Sequence, residues 1–202
     1  MALMAATTQL TPPDGLRPAT CRTIFGLLAS TGLRISEEIN LIRDDVDLAT
    51  AVLMIKAAKS HKSRLVPFDS SVADALRAYA HLRDKQLVRA TGSDRFFLFD
   101  NGQPPGQGAI RYALRDLCER LEWQPRGDYK HHRLQDMRHC FIVHSIKRFY
   151  EQGVAIDHSV AALATDVGHA HVVDTYWYVT GIPDLMSIAG ERFRQYAVEA
   201  TR

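Results

Sequence analysis

Four separated segments of this chain carry side chains suited to a phosphodiester. In Ser30-Thr-Gly-Leu-Arg-Ile-Ser-Glu37, Arg34 follows a glycine that permits a tight backbone and precedes a helix start. A guanidinium there can fork two hydrogen bonds onto phosphate oxygens. In Lys59-Ser-His-Lys-Ser-Arg-Leu-Val-Pro67, a flexible ammonium at a hairpin tip can enter a groove and hand a proton to a leaving oxygen. In Arg133-Leu-Gln-Asp-Met-Arg-His139, Gln135 and Arg138 are three residues apart, which on a helix puts both on one face. The fourth segment, Val167-Gly-His-Ala-His-Val-Val-Asp-Thr-Tyr-Trp-Tyr178, carries histidines His169 and His171 and ends on a phenol.

Each segment also has a plainer reading when taken alone. Arg34 and Glu37 can be an ion pair closing a helix end, and the lysine segment a solvated β-turn. Asp136 suits an ordinary helix N-terminus, where the dipole favours an acid. Tyr176, Trp177 and Tyr178 are by default core aromatics. No cysteine or carboxylate spacing completes a metal site around His169 and His171, so no metal is expected.

The elements that must position these groups follow from periodicity and punctuation. The stretch before Leu16 is Thr/Pro-rich, and Pro12-Pro13 and Asp14-Gly15 disfavour regular structure, so residues 1–15 read as a linker or the remnant of an N-terminal region. Thr20 is expected to cap a helix whose apolar face is Ile24, Leu27, Leu28 and Leu33, interrupted at Gly32. A second helix is expected over Ser36–Ile42, its hydroxyl and acids suiting the free amides of a helix start. Ala51–Ile55 and Arg64–Phe68 read as two strands around the basic turn. Helices are expected over Ser70–Leu87, Ile110–Leu121, Leu134–Tyr150, Ser159–Val167, Val172–Val179 and Pro183–Val198. Phe96–Phe99 is a buried extended run, Asn101–Gly108 a Gly/Pro loop, and Arg126–Arg133 a polar loop. The fold class expected is α+β, mainly α, with one small antiparallel β-sheet.

Composition narrows the function. The chain has 202 residues, 46% of them hydrophobic and 24% charged, as in an ordinary globular domain. A formal net charge of +2 does not by itself require a nucleic-acid partner. The basic residues are clustered, however: Lys59, Lys62 and Arg64 in one place, Arg126, Lys130, His131, His132, Arg133 and Arg138 in another. Such clusters give a DNA-binding face or two solvated basic loops. Lys62, Arg64, His132 and Arg133 are the candidate DNA contacts. Three scattered cysteines, Cys21, Cys118 and Cys140, argue against a disulfide framework and fit a reducing cytosol. No apolar run reaches membrane-spanning length and no signal peptide is read, so a cytoplasmic protein without a membrane partner is expected, associated with the nucleoid where its basic clusters bind DNA.

In their order along the chain, these boxes resemble the catalytic domain of the tyrosine recombinase (phage integrase) family, from about Leu16 to Phe193. Thr31-Gly-Leu-Arg-Ile-Ser-Glu37 matches the family's first arginine box and implies a catalytic role for Arg34. The basic hairpin resembles the family's lysine hairpin and implies Lys59. Gln135-Asp-Met-Arg-His139 resembles its His-x-x-Arg box and implies Arg138. Val167-Gly-His169, followed nine residues later by Tyr178, resembles the box carrying the last histidine and the nucleophile. The chain departs from the family at Gln135, where histidine is usual; an amide hydrogen-bonds but does not carry a proton at neutral pH. His131 and His132 lie nearby but out of register.

The resemblance implies DNA breakage and rejoining without metal or cofactor. Tyr178 would attack a phosphate to form a 3′-phosphotyrosyl link, with Lys59 the general acid for the 5′-hydroxyl. Arg34 and Arg138 would neutralise the non-bridging oxygens, His169 would hydrogen-bond the phosphate or assist the proton transfer, and Gln135 would hold a phosphate oxygen. The partner implied is double-stranded DNA at a recombination site. The protein would oligomerise with its own copies on DNA, be able to remain monomeric when free, and dock its last helix in cis or in trans. Residues 16–202 would be the catalytic domain, without the N-terminal core-binding domain that family members usually carry. The alternative is a catalytically impaired DNA-binding fragment that occupies recombination sites or modulates a full-length recombinase.

Overall fold

The computed structural model describes residues 2–56, 63–87, 93–125 and 129–181, together with positions 187, 190, 191 and 194. Lys59, Lys62 and Arg126 lie outside the described residues, as do all but four positions of the helix expected over Pro183–Val198. Two compact units divide the chain, Met1–Arg138 and His139–Arg202.

The first unit opens with α1 (Ala2–Ala6) and a 3-10 turn, Thr7–Gln9. This corrects the expectation of an irregular N-terminus. Leu3, Ala6 and Leu10 are buried in the main core, and that burial outweighs the weak local propensity of so short a helix. Next comes α2 (Leu16–Thr31), buried on most of its surface. It starts four residues before Thr20, which is not its cap. The cap comes instead from Asp100, whose carboxylate accepts the Leu16 amide at 2.5 Å and the Arg17 amide at 3.3 Å. A Cβ on Gly15 would lie 2.5 Å from that carboxylate, so the approach requires glycine there. Fully buried, Thr20 donates to the Leu98 carbonyl at 2.7 Å.

Gly32, at φ 63°, ends α2 in the left-handed conformation. The following α3 (Ile35–Glu38) is a single turn, shorter than the Ser36–Ile42 helix expected. It stops because the chain turns into a 3-10 segment, Arg43–Asp45, and Ile42 bridges to Arg95. Strands β1 (Val46–Asp47), β2 (Val52–Ile55) and β3 (Arg64–Pro67) form one antiparallel sheet in that order. β1 is too short to show a period in sequence. In β2 and β3, Leu53, Ile55 and Val66 face the core while Met54 and Leu65 are exposed, the alternation a one-sided sheet demands. The register pairs Ile55 with Arg64.

The remainder of this unit is α4 (Ser70–Gln86), α5 (Gln107–Arg120) and the first residues of α6 (Leu134–Gln152). Asp69 caps α4 by accepting from the Val72 amide at 3.0 Å. The run Phe96–Leu98 is buried and extended, held by the Tyr79 hydroxyl and by Arg83, which donates to the Phe96 carbonyl at 2.7 Å.

The second unit holds the rest of α6, then α7 (Ile156–Val167) and α8 (Val173–Gly181). Its core is Ile142, Ile146, Tyr150, Val160, Leu163, Val167 and Tyr178. Gly168, at φ 68°, ends α7, and the His169 amide closes back on the Ala164 carbonyl at 2.9 Å. Mainly helical, with one small antiparallel sheet, the chain has the α+β architecture expected from its sequence.

Candidate active site

In the first unit, the turn between α2 and α3 collects the arginine chemistry. Arg34 precedes α3, and its amide donates to Glu37 Oε2 at 2.9 Å while its Nη1 meets Oε1 at 3.2 Å. The Arg34–Glu37 pair considered from sequence is therefore present. The Arg34 side chain is also 37% exposed, so a ligand can reach it. Glu37 takes a second guanidinium, that of Arg64 on β3, through both oxygens at 3.0 and 2.9 Å. Burial pushes the Glu37 carboxyl up, but the Arg64 hydrogen bonds, the Arg34 amide and both cations outweigh it and hold the pKa below the ordinary value. Arg64, a candidate DNA contact, thus turns its guanidinium onto Glu37.

Arg138, on α6, is 1% exposed and donates from Nη1 to the Gly32 carbonyl at 2.7 Å. That carbonyl sits at the C-terminal end of α2, where helix carbonyls lack partners and the dipole is negative, so a cation is favoured. Gly32 is two residues from Arg34, so segments 106 residues apart bring both arginines to one turn. Gln135, three residues before Arg138, is exposed. The two side chains therefore differ in burial, Gln135 open to solvent and Arg138 enclosed.

A basic cleft of about 450 Å³ opens between the first turns of α5 and the segment 129–133. Arg111, Arg115, Lys130 and Arg133 line it, with Tyr112 and Tyr129 each 57% exposed. The Arg133 guanidinium lies 3.7 Å from the Tyr129 ring centroid and also pairs with Asp136 at 2.8 Å. Cations beside exposed aromatic faces suit phosphates and bases alike. His132 also lines the cleft, but its ring is edge-on to Trp123 and its Nε2 is buried.

In the second unit, the phenol and two imidazoles meet. Tyr178, on α8, is 6% exposed, whereas its neighbour Trp177 is 63% exposed. The Tyr178 hydroxyl is hydrogen-bonded to His139 Nδ1. His169 lies with its ring within 9° of parallel to that of Tyr178, centroids 6.4 Å apart. Its Nδ1 is committed to Thr175 Oγ1 at 2.7 Å, and Thr175 is fully buried. Tyr176 points elsewhere: its hydroxyl donates to Asp157 at 2.6 Å, a bond that raises its pKa. Sequence reasoning missed His139. The available signal was an imidazole directly after Arg138; its pairing with a phenol 39 residues away is tertiary. Among the described residues, no group of three or more His, Cys, Asp or Glu side chains is arranged to hold a metal ion, and no helix is long and apolar enough to cross a membrane.

Known proteins share both the sequence pattern and the fold. The model of the phage integrase family matches residues 2–181. A putative integrase/recombinase, y4rB of Sinorhizobium fredii, is 37% identical over 180 residues, covering 89% of this chain and 57% of that protein. Tyrosine recombinase XerC of Staphylococcus carnosus is 28% identical, covering 71% of this chain and 46% of that protein. Among solved structures, XerA recombinase superposes with a TM-score of 0.70 at 24% identity, covering 96% of this chain and 61% of that one. The Tn1549 transposon integrase, solved in complex with transposon right end DNA, superposes with a TM-score of 0.66 at 18% identity, covering 96% of this chain and 63% of that one. This chain spans 57% and 60% of the length of two curated relatives from Sinorhizobium fredii.

Proposed function

Because this chain belongs to the phage integrase family, we propose that it acts in site-specific DNA recombination, cutting and rejoining strands through a 3′-phosphotyrosyl link on Tyr178. The observation that carries this reading is the Arg138–Gly32 hydrogen bond, which brings the second arginine to the turn that bears the first. Two guanidiniums at one turn form a preorganised cradle for a phosphate that gains charge as it becomes pentacoordinate, and such preorganisation is often the largest part of catalysis. Lys59 is the proposed donor to the departing 5′-hydroxyl. His169, oriented through Thr175, and Gln135 are the proposed further contacts to the phosphate.

Double-stranded DNA is the proposed substrate, with the protein assembling on it as more than one copy. The cleft between α5 and residues 129–133 is the proposed backbone contact, since its charge is positive and its tyrosines are exposed. Because the phosphotyrosyl link conserves the energy of the phosphodiester, rejoining needs no nucleotide. A second reading is DNA binding with impaired catalysis. Gln135 favours it, being exposed and unable to carry a proton where the family's histidine usually stands.

Strand exchange between two labelled duplexes, from the DNA flanking the gene, tests the proposal in EDTA and without ATP. Exchanged products support it. Binding without any cleavage supports the second reading.

A further inference from the structure

We infer that His139 is a further catalytic residue, the base that takes the Tyr178 proton during cleavage and returns it during rejoining. This rests on the reading of Tyr178 as the nucleophile.

A phenol titrates near pH ~10, so at neutral pH it must give up its proton as it attacks. The acceptor must lie within hydrogen-bond reach of the oxygen. His139 Nδ1 is in that position, and imidazole is the side chain whose protonation changes near neutrality. The second unit offers two imidazoles beside the Tyr178 ring, and geometry separates their roles. His169 lies parallel to the ring and commits Nδ1 to Thr175, whereas His139 directs Nδ1 at the phenol oxygen. Because Tyr178 is 6% exposed, competition from bulk water for this bond is limited.

His139 also bears on the departure at Gln135. The amide there cannot accept a proton, but the residue directly after Arg138 can. A proton carrier is thus retained in the same helix, displaced by four positions.

For cleavage, His139 must be the tautomer with hydrogen on Nε2 and a lone pair on Nδ1. The Tyr178 oxygen attacks phosphorus and its proton passes to Nδ1, leaving an imidazolium. The new O–P bond forms as the P–O5′ bond breaks, and the electron pair leaves with O5′, which takes a proton from the general acid. In rejoining, the 5′-hydroxyl attacks phosphorus as its proton returns to the general acid, now deprotonated, the phosphotyrosyl bond breaks, and the departing phenolate recovers its proton from His139. Nothing is oxidised or reduced.

The test compares wild type, His139→Gln and His139→Ala for covalent adduct formation on nicked duplexes. One substrate is an ordinary phosphodiester. The other carries a 5′-bridging phosphorothiolate, whose sulfur leaves without needing a proton. Loss of a general base costs about 100-fold or more in rate. The expected result is such a loss for both variants on both substrates, with DNA binding and thermal melting kept, and partial recovery of His139→Ala by added imidazole. Cleavage by His139→Gln within threefold of wild type would overturn the proposal, as would rescue of that variant by the phosphorothiolate, which would put His139 on the leaving group. If wild type forms no adduct, or Tyr178→Phe keeps it, the reading of Tyr178 fails and the role of His139 falls with it.

Discussion

Glu37 holds the Arg64 guanidinium with both carboxylate oxygens, at 3.0 and 2.9 Å, and binds Arg34 at the same time. The Arg64 and Glu37 side chains are 11% and 17% exposed, so the pair is shielded from water and its loss would leave a nearly buried cation. Glu37→Gln is expected to lower stability at pH ~7 by about 3 kcal/mol in urea melts. The pH dependence has a defined sign. The folded carboxyl titrates below its ordinary value, so its contribution is present above that value and is lost as pH falls through the folded pKa. The wild-type and Glu37→Gln curves are expected to stay parallel above the ordinary carboxyl value and to converge only as pH falls through the lowered folded pKa. A gap that stays constant through that acid range would contradict this account of the pair.

Much of this arrangement was legible in the sequence where it depends on local pattern. The basic hairpin was flanked by two apolar runs, and β2 and β3 form there. Helices α4 and α6 start at the residues their periodicity indicated, and Gly32 and Gly168 end helices as left-handed residues do. What the sequence left hidden depends on distant partners. Asp100 caps α2 from 84 residues away, so no local hydroxyl, Thr20 included, marks the start of that helix. The N-terminal helix is set by burial of Leu3 and Leu10, which a short Thr/Pro-rich stretch does not advertise. At the candidate site, the arginines and the tyrosine were recognisable as types in boxes. The turn of Arg64 onto Glu37 and the bond from His139 to Tyr178 were not, because both are made by tertiary packing.

Glu38 is the counterexample to Glu37. It is fully buried, and neither carboxyl oxygen has a hydrogen-bond partner among the described residues. Burial alone raises its pKa well above the ordinary value. The unfolded chain therefore releases its proton first as pH rises, and stability present below the ordinary carboxyl value is lost on the way up to the folded pKa. Glu38→Leu is expected to be more stable than wild type at pH ~7, by about 1–3 kcal/mol, because it removes an unsatisfied buried polar group. Its advantage is expected to shrink towards acid pH in denaturant melts. An advantage that grows as pH falls would contradict the assignment.

The basic cleft makes a separate prediction about DNA. Arg111→Ala combined with Lys130→Ala removes two cations from its lining. Affinity for duplex DNA is expected to fall, and the slope of log affinity against log salt to become shallower by about 1 for each phosphate that is no longer neutralised. Fluorescence anisotropy titrations across a range of salt concentrations measure both. An unchanged slope would place the DNA-binding face elsewhere.

Arg138 is expected to tolerate lysine poorly. Lysine keeps the charge but loses the planar fork that can hold the Gly32 carbonyl with one arm and direct another elsewhere. Arg138→Lys is expected to cut adduct formation by about 100-fold or more, on the order of losing one preorganised donor to a developing oxyanion. DNA affinity measured by anisotropy is expected to change far less. An equal loss of binding and cleavage would assign Arg138 to DNA affinity rather than to the reaction.

The most direct measurement is to trap the covalent complex on nicked duplex DNA, digest it with trypsin, and locate the nucleotide by mass spectrometry. The expected result is a phosphodiester-linked nucleotide on Tyr178, absent from Tyr178→Phe and unaffected by EDTA. An adduct on another residue such as Tyr176, or no adduct while DNA remains bound, would contradict it.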